Sequence, residues 1–344
     1  MTDFNPNDIG NINNNIFGLP TTEDSAKVIF IPVPWDVTVS YNPGTSNGPQ
    51  AIFDASFQVD LFDPIKDDAW KTGYAMCPIP SDIKEKNDRL KYYARDVIAH
   101  LSEGSLTIES EEMANSLNLV NTGCSEQVSW IKDKSKEYVD KNKYVAVIGG
   151  DHSVPLGFIQ TLAGKFKSFG ILQIDAHADL RDAYEGFEFS HASIMFNALK
   201  ISQVSKLVQV GIRDYCQDEY DLIEKSKGRI KTFFDRDIMH ARFEGKSWKQ
   251  QCTKIISELP DNVYISFDID GLDPKLCPNT GTPVPGGLEL NEVLYLFEQI
   301  LLSGKKIIGF DLCEVSPGSD EWDANVGARI LYRLANIMAK SNNL

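Results

Sequence analysis

Short, continuously apolar segments recur along the chain and are separated by stretches long enough to form helices. They occupy residues 27–33, 143–150, 169–175, 206–212, 229–234, 262–268 and 306–312. Strands covered on both faces read as uninterrupted apolar runs, whereas strands with one face in water alternate apolar and polar residues. The intervening segments 191–203, 247–258 and 290–303 are amphipathic. This alternation predicts an α/β protein whose mostly parallel sheet carries helices on both sides.

The rest of the chain indicates how the protein divides into domains. Residues 85–142 are charged and helix-prone, which predicts two helices joined by a polar segment, with the acidic cluster 107–116 as a solvated helix start. No internal repeat or low-complexity linker interrupts the 344 residues. We therefore predict one domain over 27–344, preceded by a loosely attached N-terminal extension over 1–26.

Composition narrows the class of partner and the compartment. A formal net charge of −15 argues against nucleic acid and against an anionic membrane surface as partners. No apolar stretch reaches the roughly 18 residues of a membrane span, and the polar N-terminus does not resemble a signal peptide. The six cysteines are scattered without a C-x-x-C pair. We therefore expect reduced thiols and a cytoplasmic location.

Histidine and aspartate residues gather where several predicted strands end. The segments are "GGDHS" at 149–153, "DAHAD" at 175–179 and "SFDIDGLDP" at 266–274. Sites in open α/β sheets form at the carboxyl ends of the strands. A carboxylate buried there must find a cation, a hydrogen-bond donor or a proton. The candidate metal ligands in these segments are His152, Asp175, His177, Asp179, Asp268 and Asp270.

This set of four carboxylates and two imidazoles suits a pair of divalent cations. It contains no thiolate and is too rich in oxygen for a structural zinc site. Six converging ligands can hold two metals bridged by carboxylates, which activate a shared water. Mn²⁺ suits the mixed donors best, and Ni²⁺, Co²⁺ or Fe²⁺ could take the same positions. The segment 268–279 is not an EF-hand, because its glycine stands at the fourth position and Asn279 at the twelfth.

Two further residues are candidates for catalytic work. His191 opens a helical segment after a glycine-bearing loop, where it could act as a general acid or proton shuttle, or simply cap the helix. Glu314 follows another strand end in "GFDLCEVSP", and its carboxylate could form a bidentate pair with a planar cation or serve the fold alone. The neighbouring Asp311 could support the site from behind the ligands.

In this order the segments resemble the signature sequences of the ureohydrolases, the arginase and agmatinase family. "DLCEVSP" at 311–317 and "SYNPGTSNGPQAI" at 40–52 resemble further family segments. The resemblance implies a three-layer α/β/α fold with a doubly wound sheet and a dinuclear manganese centre. It also implies hydrolysis of a guanidino-type C–N bond, releasing urea and an amine. A homo-oligomer, a trimer or hexamer, is expected from the same resemblance.

The resemblance also implies a role for each site residue. His152 and Asp179 would bind one metal, His177 and Asp270 the other, and Asp175 and Asp268 would bridge the two. His191 would shuttle protons to the leaving amine, and Glu314 would hold the guanidinium. Asp179 is counted among the catalytic residues as well as among the ligands.

Departures from the arginase pattern concern the substrate. Arg181 stands where arginases usually carry Asn, and Cys216 where they carry Asp. We therefore expect a small cationic guanidino substrate, with agmatine, giving putrescine and urea, ahead of arginine. Arg181 could instead pair with the carboxylate of guanidinobutyrate or formiminoglutamate, or point to solvent. Trp35 and Trp322 are candidate pocket walls that would narrow the site toward free guanidine.

Two alternative functions lie outside ureohydrolase activity. A metal-dependent, deacetylase-like amide hydrolase would use a single zinc, which leaves the six-ligand set unexplained. A non-catalytic scaffold subunit would be expected to lack His191 or a bridging aspartate, and both are present.

Overall fold

The computed structural model describes residues 4–104 and 110–344, and its centre is a sheet of eight parallel strands. The strand order across the sheet is β2-β1-β3-β8-β7-β4-β5-β6. The strands are β1 Val28–Val33, β2 Tyr74–Met76, β3 Tyr144–Gly149, β4 Phe169–Ile174, β5 Val204–Ile212, β6 Ile230–Phe234, β7 Asn262–Asp268 and β8 Lys306–Cys313. Seven of them coincide with the predicted apolar segments.

In the described part of the chain, ten α-helices cover the two faces of the sheet. They are α1 Gly48–Ser56, α2 Ser81–Ser102, α3 Glu111–Asp140, α4 Leu156–Lys165, α5 Ile194–Leu199, α6 Gln217–Lys225, α7 Asp235–Phe243, α8 Trp248–Ser257, α9 Leu290–Leu302 and α10 Trp322–Ser341. Within β1, Val28 and Phe30 join one buried cluster with α1 and α7 to α10. Ile29 and Ile31 join a second cluster with α2 to α6. Both faces of β1 are buried, which explains why every residue in this strand is apolar. Helices therefore cover the sheet on both sides, and the prediction of a three-layer α/β/α fold is confirmed.

The charged region 85–142 forms the two predicted helices, α2 and α3. Ser110 caps α3, because its hydroxyl accepts a hydrogen bond from the Met113 backbone N–H at 3.1 Å. Glu111 and Glu112 follow in the first turn, where negative charge interacts favourably with the helix dipole. The predicted solvated helix start is therefore found from Ser110 onward, and residues 105–109 lie outside the described part of the chain.

The N-terminal extension is attached more firmly than its polar sequence suggests. Phe17 and Leu19 are buried in the core cluster on the α10 side of the sheet. The side-chain amide of Asn15 accepts a hydrogen bond from the Met76 N–H at 2.8 Å and donates to the Met76 carbonyl at 3.3 Å. The prediction of loose attachment is wrong for residues 15–19, because they complete the edge of the sheet at β2.

The strand order places the segments rich in histidine and aspartate side by side. Strands β3, β8, β7 and β4 are neighbours at the centre of the sheet and end at Gly149, Cys313, Asp268 and Ile174. Parallel strands present their carboxyl ends at one edge, so the four loops meet there. In the described ranges, no helix is both long and apolar enough to cross a membrane.

Candidate active site

The six predicted metal ligands converge at the carboxyl edge of the sheet. Nδ1 of His152 lies 2.9, 3.0 and 3.3 Å from carboxylate oxygens of Asp175, Asp179 and Asp268 respectively. Five of the six ligands divide into two groups that share the carboxylate of Asp175, and Asp268 belongs to neither group. His152, Asp175 and Asp179 form one group that could hold a metal ion, and Asp175, His177 and Asp270 form the other.

The second imidazole completes this arrangement. Nδ1 of His177 lies 3.1 Å from Oδ2 of Asp270 and 3.6 Å from Oδ1 of Asp175. The carboxylate of Asp175 therefore contacts both imidazoles, through a different oxygen in each case. This is the position that a bridging carboxylate would occupy between two cations.

Backbone N–H groups hold the carboxylates in place. The Asp175 carboxylate accepts from the His177 N–H at 2.6 Å, and Asp268 accepts from the Asp270 N–H at 2.9 Å. Oδ1 of Asp270 accepts from the Ala176 N–H at 3.0 Å and so ties the β7 loop to the β4 loop. One oxygen of each of these three carboxylates is thereby fixed, which orients the other toward the ligand cluster.

Gly150 lets the chain leave β3 in a tight turn toward the cluster. A Cβ atom at this position would lie 1.8 Å from the carbonyl oxygen of Trp35. The Asp151 N–H donates to that same carbonyl at 2.8 Å. Only glycine allows this approach of two backbones, which places His152 at the edge of the sheet.

Hydrogen bonding behind His152 leaves its inner nitrogen available to a metal. The Ser266 hydroxyl donates to Oδ2 of Asp311 at 2.9 Å, so its oxygen accepts from Nε2–H of His152 at 2.9 Å. Nδ1 of His152 is buried without a hydrogen-bond partner and faces three carboxylates. A bare imidazole nitrogen among carboxylate oxygens fits a divalent cation. Asp311 lies behind His152 in this hydrogen-bond chain, where it could support the site.

The electrostatics of the cluster also favour bound cations. Burial, reinforced by Asp175, raises the pKa of Asp179 to about 7. Burial and the adjacent Asp270 raise the pKa of Asp268 well above its usual range. For Asp175 burial acts in the same direction, but the imidazoles of His152 and His177 outweigh it and lower the pKa. Divalent cations would neutralise these carboxylates and allow all of them to ionise together.

Glu314 lies directly behind this cluster. It is buried at the end of β8 in a left-handed backbone conformation with φ 62°. Oε1 accepts from the His152 N–H at 3.0 Å, whereas Oε2 is buried without a hydrogen-bond partner. Gly281 lies beside Oε2, since a Cβ on Gly281 would lie 3.2 Å from it, and the next residue, Thr282, lines the cavity, whereas Glu314 itself does not. An unpaired buried carboxylate oxygen is suited to a cationic partner.

His191 is placed beside the cluster at the start of a short helical turn. Burial, together with the nearby His177 and His152, lowers the pKa of His191 to about 4. Its Nδ1 lies 3.4 Å from the Ser190 hydroxyl, and its ring is 6.0 Å from that of Tyr184. The imidazole is therefore neutral near pH 7 and can accept a proton.

A cavity of about 430 Å³ opens above these residues. Its lining includes His177, Asp179 and His191 of the predicted site. The remaining lining residues are Ser40, Tyr41, Ser102, Arg181, Tyr184, Glu185, Ala192, Asp214, Tyr215, Glu219 and Thr282. A larger cavity of about 780 Å³ lies between the N-terminal extension and the end of β2 and contains none of the predicted site residues.

The prediction that Trp35 and Trp322 form walls of the pocket is wrong. Trp35 is 1% exposed and packs in the core, with its backbone against Gly150. Trp322 is 46% exposed, and its indole N–H donates to the Lys275 carbonyl at 2.9 Å. Neither side chain lines the cavity, because one faces the interior of the domain and the other begins α10. The aromatic walls are instead tyrosines, which the sequence patterns did not single out.

Arg181 lines the cavity with a side chain that is 39% exposed, and its one ionic contact among the described residues is a long one to the cavity wall. Its Nε lies 3.9 Å from a carboxylate oxygen of Glu219, and its guanidinium stands 4.9 Å from the ring centre of Tyr184. Glu219 is itself buried and accepts from the N–H groups of Leu180 and Cys216 at 3.0 and 2.9 Å. Arg181 thus lies against the pocket wall.

Comparison with known proteins agrees with this geometry. The arginase family model matches residues 26–336, and the chain belongs to the arginase family. An N(1)-aminopropylagmatine ureohydrolase of Synechocystis is 29% identical, covering 93% of this chain and 92% of that protein. An agmatinase of Bacillus cereus is 26% identical, covering 88% of each. The structure of an agmatine ureohydrolase of Thermoplasma volcanium superposes with a TM-score of 0.70 at 22% identity, covering 94% and 96% of the two chains.

The predicted class of enzyme is confirmed by these matches. The protein is a hydrolase of the ureohydrolase type, and its fold and its His and Asp clusters fit the metal dependence of that class.

Proposed function

We propose that this ureohydrolase cleaves the guanidino group of an agmatine-like amine, releasing urea and, from agmatine, putrescine. The observation that carries the proposal is the charge of the cavity. Apart from the metal and proton-transfer candidates, the described lining carries one cation, Arg181, and three carboxylates, Glu185, Asp214 and Glu219. Arg181 already lies beside Glu219. A substrate with a second positive charge suits this lining better than one with a carboxylate.

The metal centre in this proposal contains two divalent cations, with Mn²⁺ preferred. His152 and Asp179 would hold one, His177 and Asp270 the other, and Asp175 and Asp268 would lie between them. Bound there, the cations would lower the pKa of a water and stabilise negative charge that develops during its attack on the guanidinium carbon.

The remaining steps belong to side chains of the chain itself. The unpartnered Oε2 of Glu314 would accept an N–H of the substrate guanidinium and so orient its central carbon. Neutral His191 would take a proton released during the attack and return it to the leaving nitrogen as the C–N bond breaks. The products are urea and the protonated amine.

A substrate panel tests the proposed reaction. The purified protein, loaded with Mn²⁺ or Ni²⁺, is offered agmatine, guanidine, 4-guanidinobutyrate and arginine in parallel, and urea release is measured. Formamide release from formiminoglutamate is measured alongside. We expect agmatine to have the highest kcat/KM. Preference for guanidinobutyrate or formiminoglutamate would contradict the argument from the charge of the cavity and would indicate that Arg181 binds a substrate carboxylate. Preference for guanidine would show that the substrate needs no second positive charge.

Metal counting distinguishes the proposal from a deacetylase-like hydrolase. We expect two metal ions per chain by elemental analysis, whereas a single zinc would favour the rival reaction. We also propose a homo-oligomer, a trimer or hexamer, in the cytoplasm, where the six free cysteines would stay reduced. Light scattering on the metal-loaded protein measures the assembly.

A further inference from the structure

A tight turn at residues 184–187 projects an acidic side chain at the cavity. The N–H of Tyr184 donates to the Phe187 carbonyl at 3.2 Å, and the N–H of Phe187 donates back to the Tyr184 carbonyl at 2.8 Å. The two central residues, Glu185 and Gly186, have φ values of 54° and 80°. Two-residue turns with positive φ at both positions favour Asn, Asp or Gly at the first.

Glu185 is therefore an unfavourable choice for the turn itself. A left-handed conformation in a residue other than glycine, asparagine or aspartate is uncommon, and such positions cluster at ligand-binding sites. Gly186 satisfies the second position without strain, so the turn would form as well with a glycine or asparagine before it. The glutamate must be explained by what its side chain contacts.

The carboxylate of Glu185 has an oxygen with no partner in the protein. Its Oε2 is buried and makes no hydrogen bond, although the residue as a whole is only half-buried at the cavity wall. Burial raises the pKa of this carboxylate. Because Oε2 is shielded from water and unpaired, the charge of the carboxylate is poorly compensated within the protein, and a cationic donor in the cavity that Glu185 lines would stabilise it.

Among the described residues, no cationic side chain forms an ion pair with Glu185. Arg181, the one cationic side chain other than histidine in the described lining, is placed against Glu219 and the ring of Tyr184. Asp214 adds an exposed carboxylate, and its backbone pairs with that of His177 at the end of the sheet. The cavity beside the metal ligands is therefore acidic and walled by tyrosine rings, which suits an organic cation.

We propose that Glu185 binds the terminal ammonium of the substrate and makes an amine at the far end of the chain a requirement for efficient turnover. The inference rests on the proposed function and assigns the substrate class: a guanidinoalkylamine, with a primary or secondary amine in place of the α-amino acid group of arginine. Glu314 receives the guanidinium of this substrate, and Glu185 receives its other charge.

The test compares two substrates that differ only at this terminus. Agmatine ends in an ammonium group, and n-pentylguanidine carries a methyl group in its place. Replacing Glu185 by glutamine keeps size and removes the charge. We expect Glu185→Gln to lower kcat/KM for agmatine about 10- to 100-fold, because losing a hydrogen bond to a charged group weakens binding by about that factor. The preference of the enzyme for agmatine over n-pentylguanidine should fall by the same factor.

A matched control lies on the same loop. The Asp182 side chain is 80% exposed and lies 3.5 Å from Nζ of Lys200, outside the cavity lining. Asp182→Asn removes the same charge from the loop and should leave kcat/KM for both substrates unchanged. A second readout needs no chemistry: putrescine binding, measured by calorimetry on the metal-loaded protein, should weaken about 10-fold or more in Glu185→Gln and stay constant in Asp182→Asn.

The possible outcomes distinguish a failure of this inference from a failure of the proposed function. If the wild-type enzyme hydrolyses agmatine and Glu185→Gln lowers turnover of both substrates equally, Glu185 serves only the loop and the inference is overturned. If the wild-type enzyme hydrolyses agmatine and n-pentylguanidine equally well, the terminal amine is not recognised and the inference also fails. Turnover of neither compound overturns the proposed function and this assignment together.

Discussion

Replacing Asp311 by asparagine should weaken metal binding by changing the tautomer of His152. In the wild-type protein, Asp311 accepts hydrogen bonds from the hydroxyls of Tyr264 and Ser266 at 2.6 and 2.9 Å and from the Phe267 N–H at 3.2 Å. Because Ser266 gives its proton to this carboxylate, its oxygen must accept Nε2–H of His152. The proton on Nε2 leaves Nδ1 free to act as the ligand.

Asparagine would reverse this chain of hydrogen bonds. Its carbonyl oxygen can keep the bond from the Phe267 N–H, which turns the NH₂ group toward Ser266. The Ser266 oxygen then accepts, its proton turns to Nε2 of His152, and the remaining imidazole proton moves to Nδ1. Restoring the metal-binding tautomer would leave a buried polar group without its hydrogen bond, at about 1–3 kcal/mol. This corresponds to a loss of metal affinity of roughly 5- to 150-fold.

The assay is calorimetric titration of the metal-free protein with Mn²⁺, with bound metal counted independently. Asp63→Asn is the control, because Asp63 is also buried and accepts from Asn336 of α10 at 2.7 Å, outside the ligand cluster. Ser266→Ala should lose less affinity than Asp311→Asn, since Asp311 lies 3.7 Å from Nε2 of His152 and can accept from it after a small shift. Unchanged Mn²⁺ affinity in Asp311→Asn would refute the reasoning.

Three further substitutions test the site and its support. Asp175→Asn should reduce bound metal and abolish turnover, because Asp175 contacts both imidazoles; full activity at unchanged metal content would exclude a bridging role. His191→Ala should keep its metals but slow kcat by about 10²-fold or more, and unchanged kinetics would leave only a structural role. Gly150→Ala should cost about 3 kcal/mol of unfolding free energy, as its Cβ would meet the carbonyl of Trp35 at 1.8 Å. The control Gly164→Ala, in α4 with open space around it, should be neutral or slightly stabilising in the same denaturant titration.

Much of the fold could be predicted from local sequence patterns. A strand buried on both faces must be apolar at every position, so seven strands are legible as apolar runs of five to nine residues. The eighth, β2, spans only Tyr74–Met76 and is too short to carry such a signal. The firm packing of the N-terminal extension is not predictable either, because Phe17 and Leu19 are isolated apolar residues in a polar stretch, and their burial depends on the α10 face, which is distant in sequence.

The cluster of candidate metal ligands could be predicted for a similar reason. Asp175, His177 and Asp179 are charged or polar groups placed where an apolar strand ends, and such groups need partners. The rule that parallel strands expose their carboxyl ends at one edge then brings the separate segments together. The order β3-β8-β7-β4 itself could not be derived, because pairing between strands far apart in sequence depends on packing of the whole sheet.

The sequence by itself determined the fold class, the family and the identity of the candidate ligands, because burial and charge leave a local pattern in each segment. Only the tertiary structure decided which side chains surround the cavity. Trp35 faces the core, while Glu185 reaches the cavity from a turn whose backbone conformation no apolar pattern encodes. The shape of a cavity depends on loops from several strand ends meeting in space, so its walls are fixed by long-range packing.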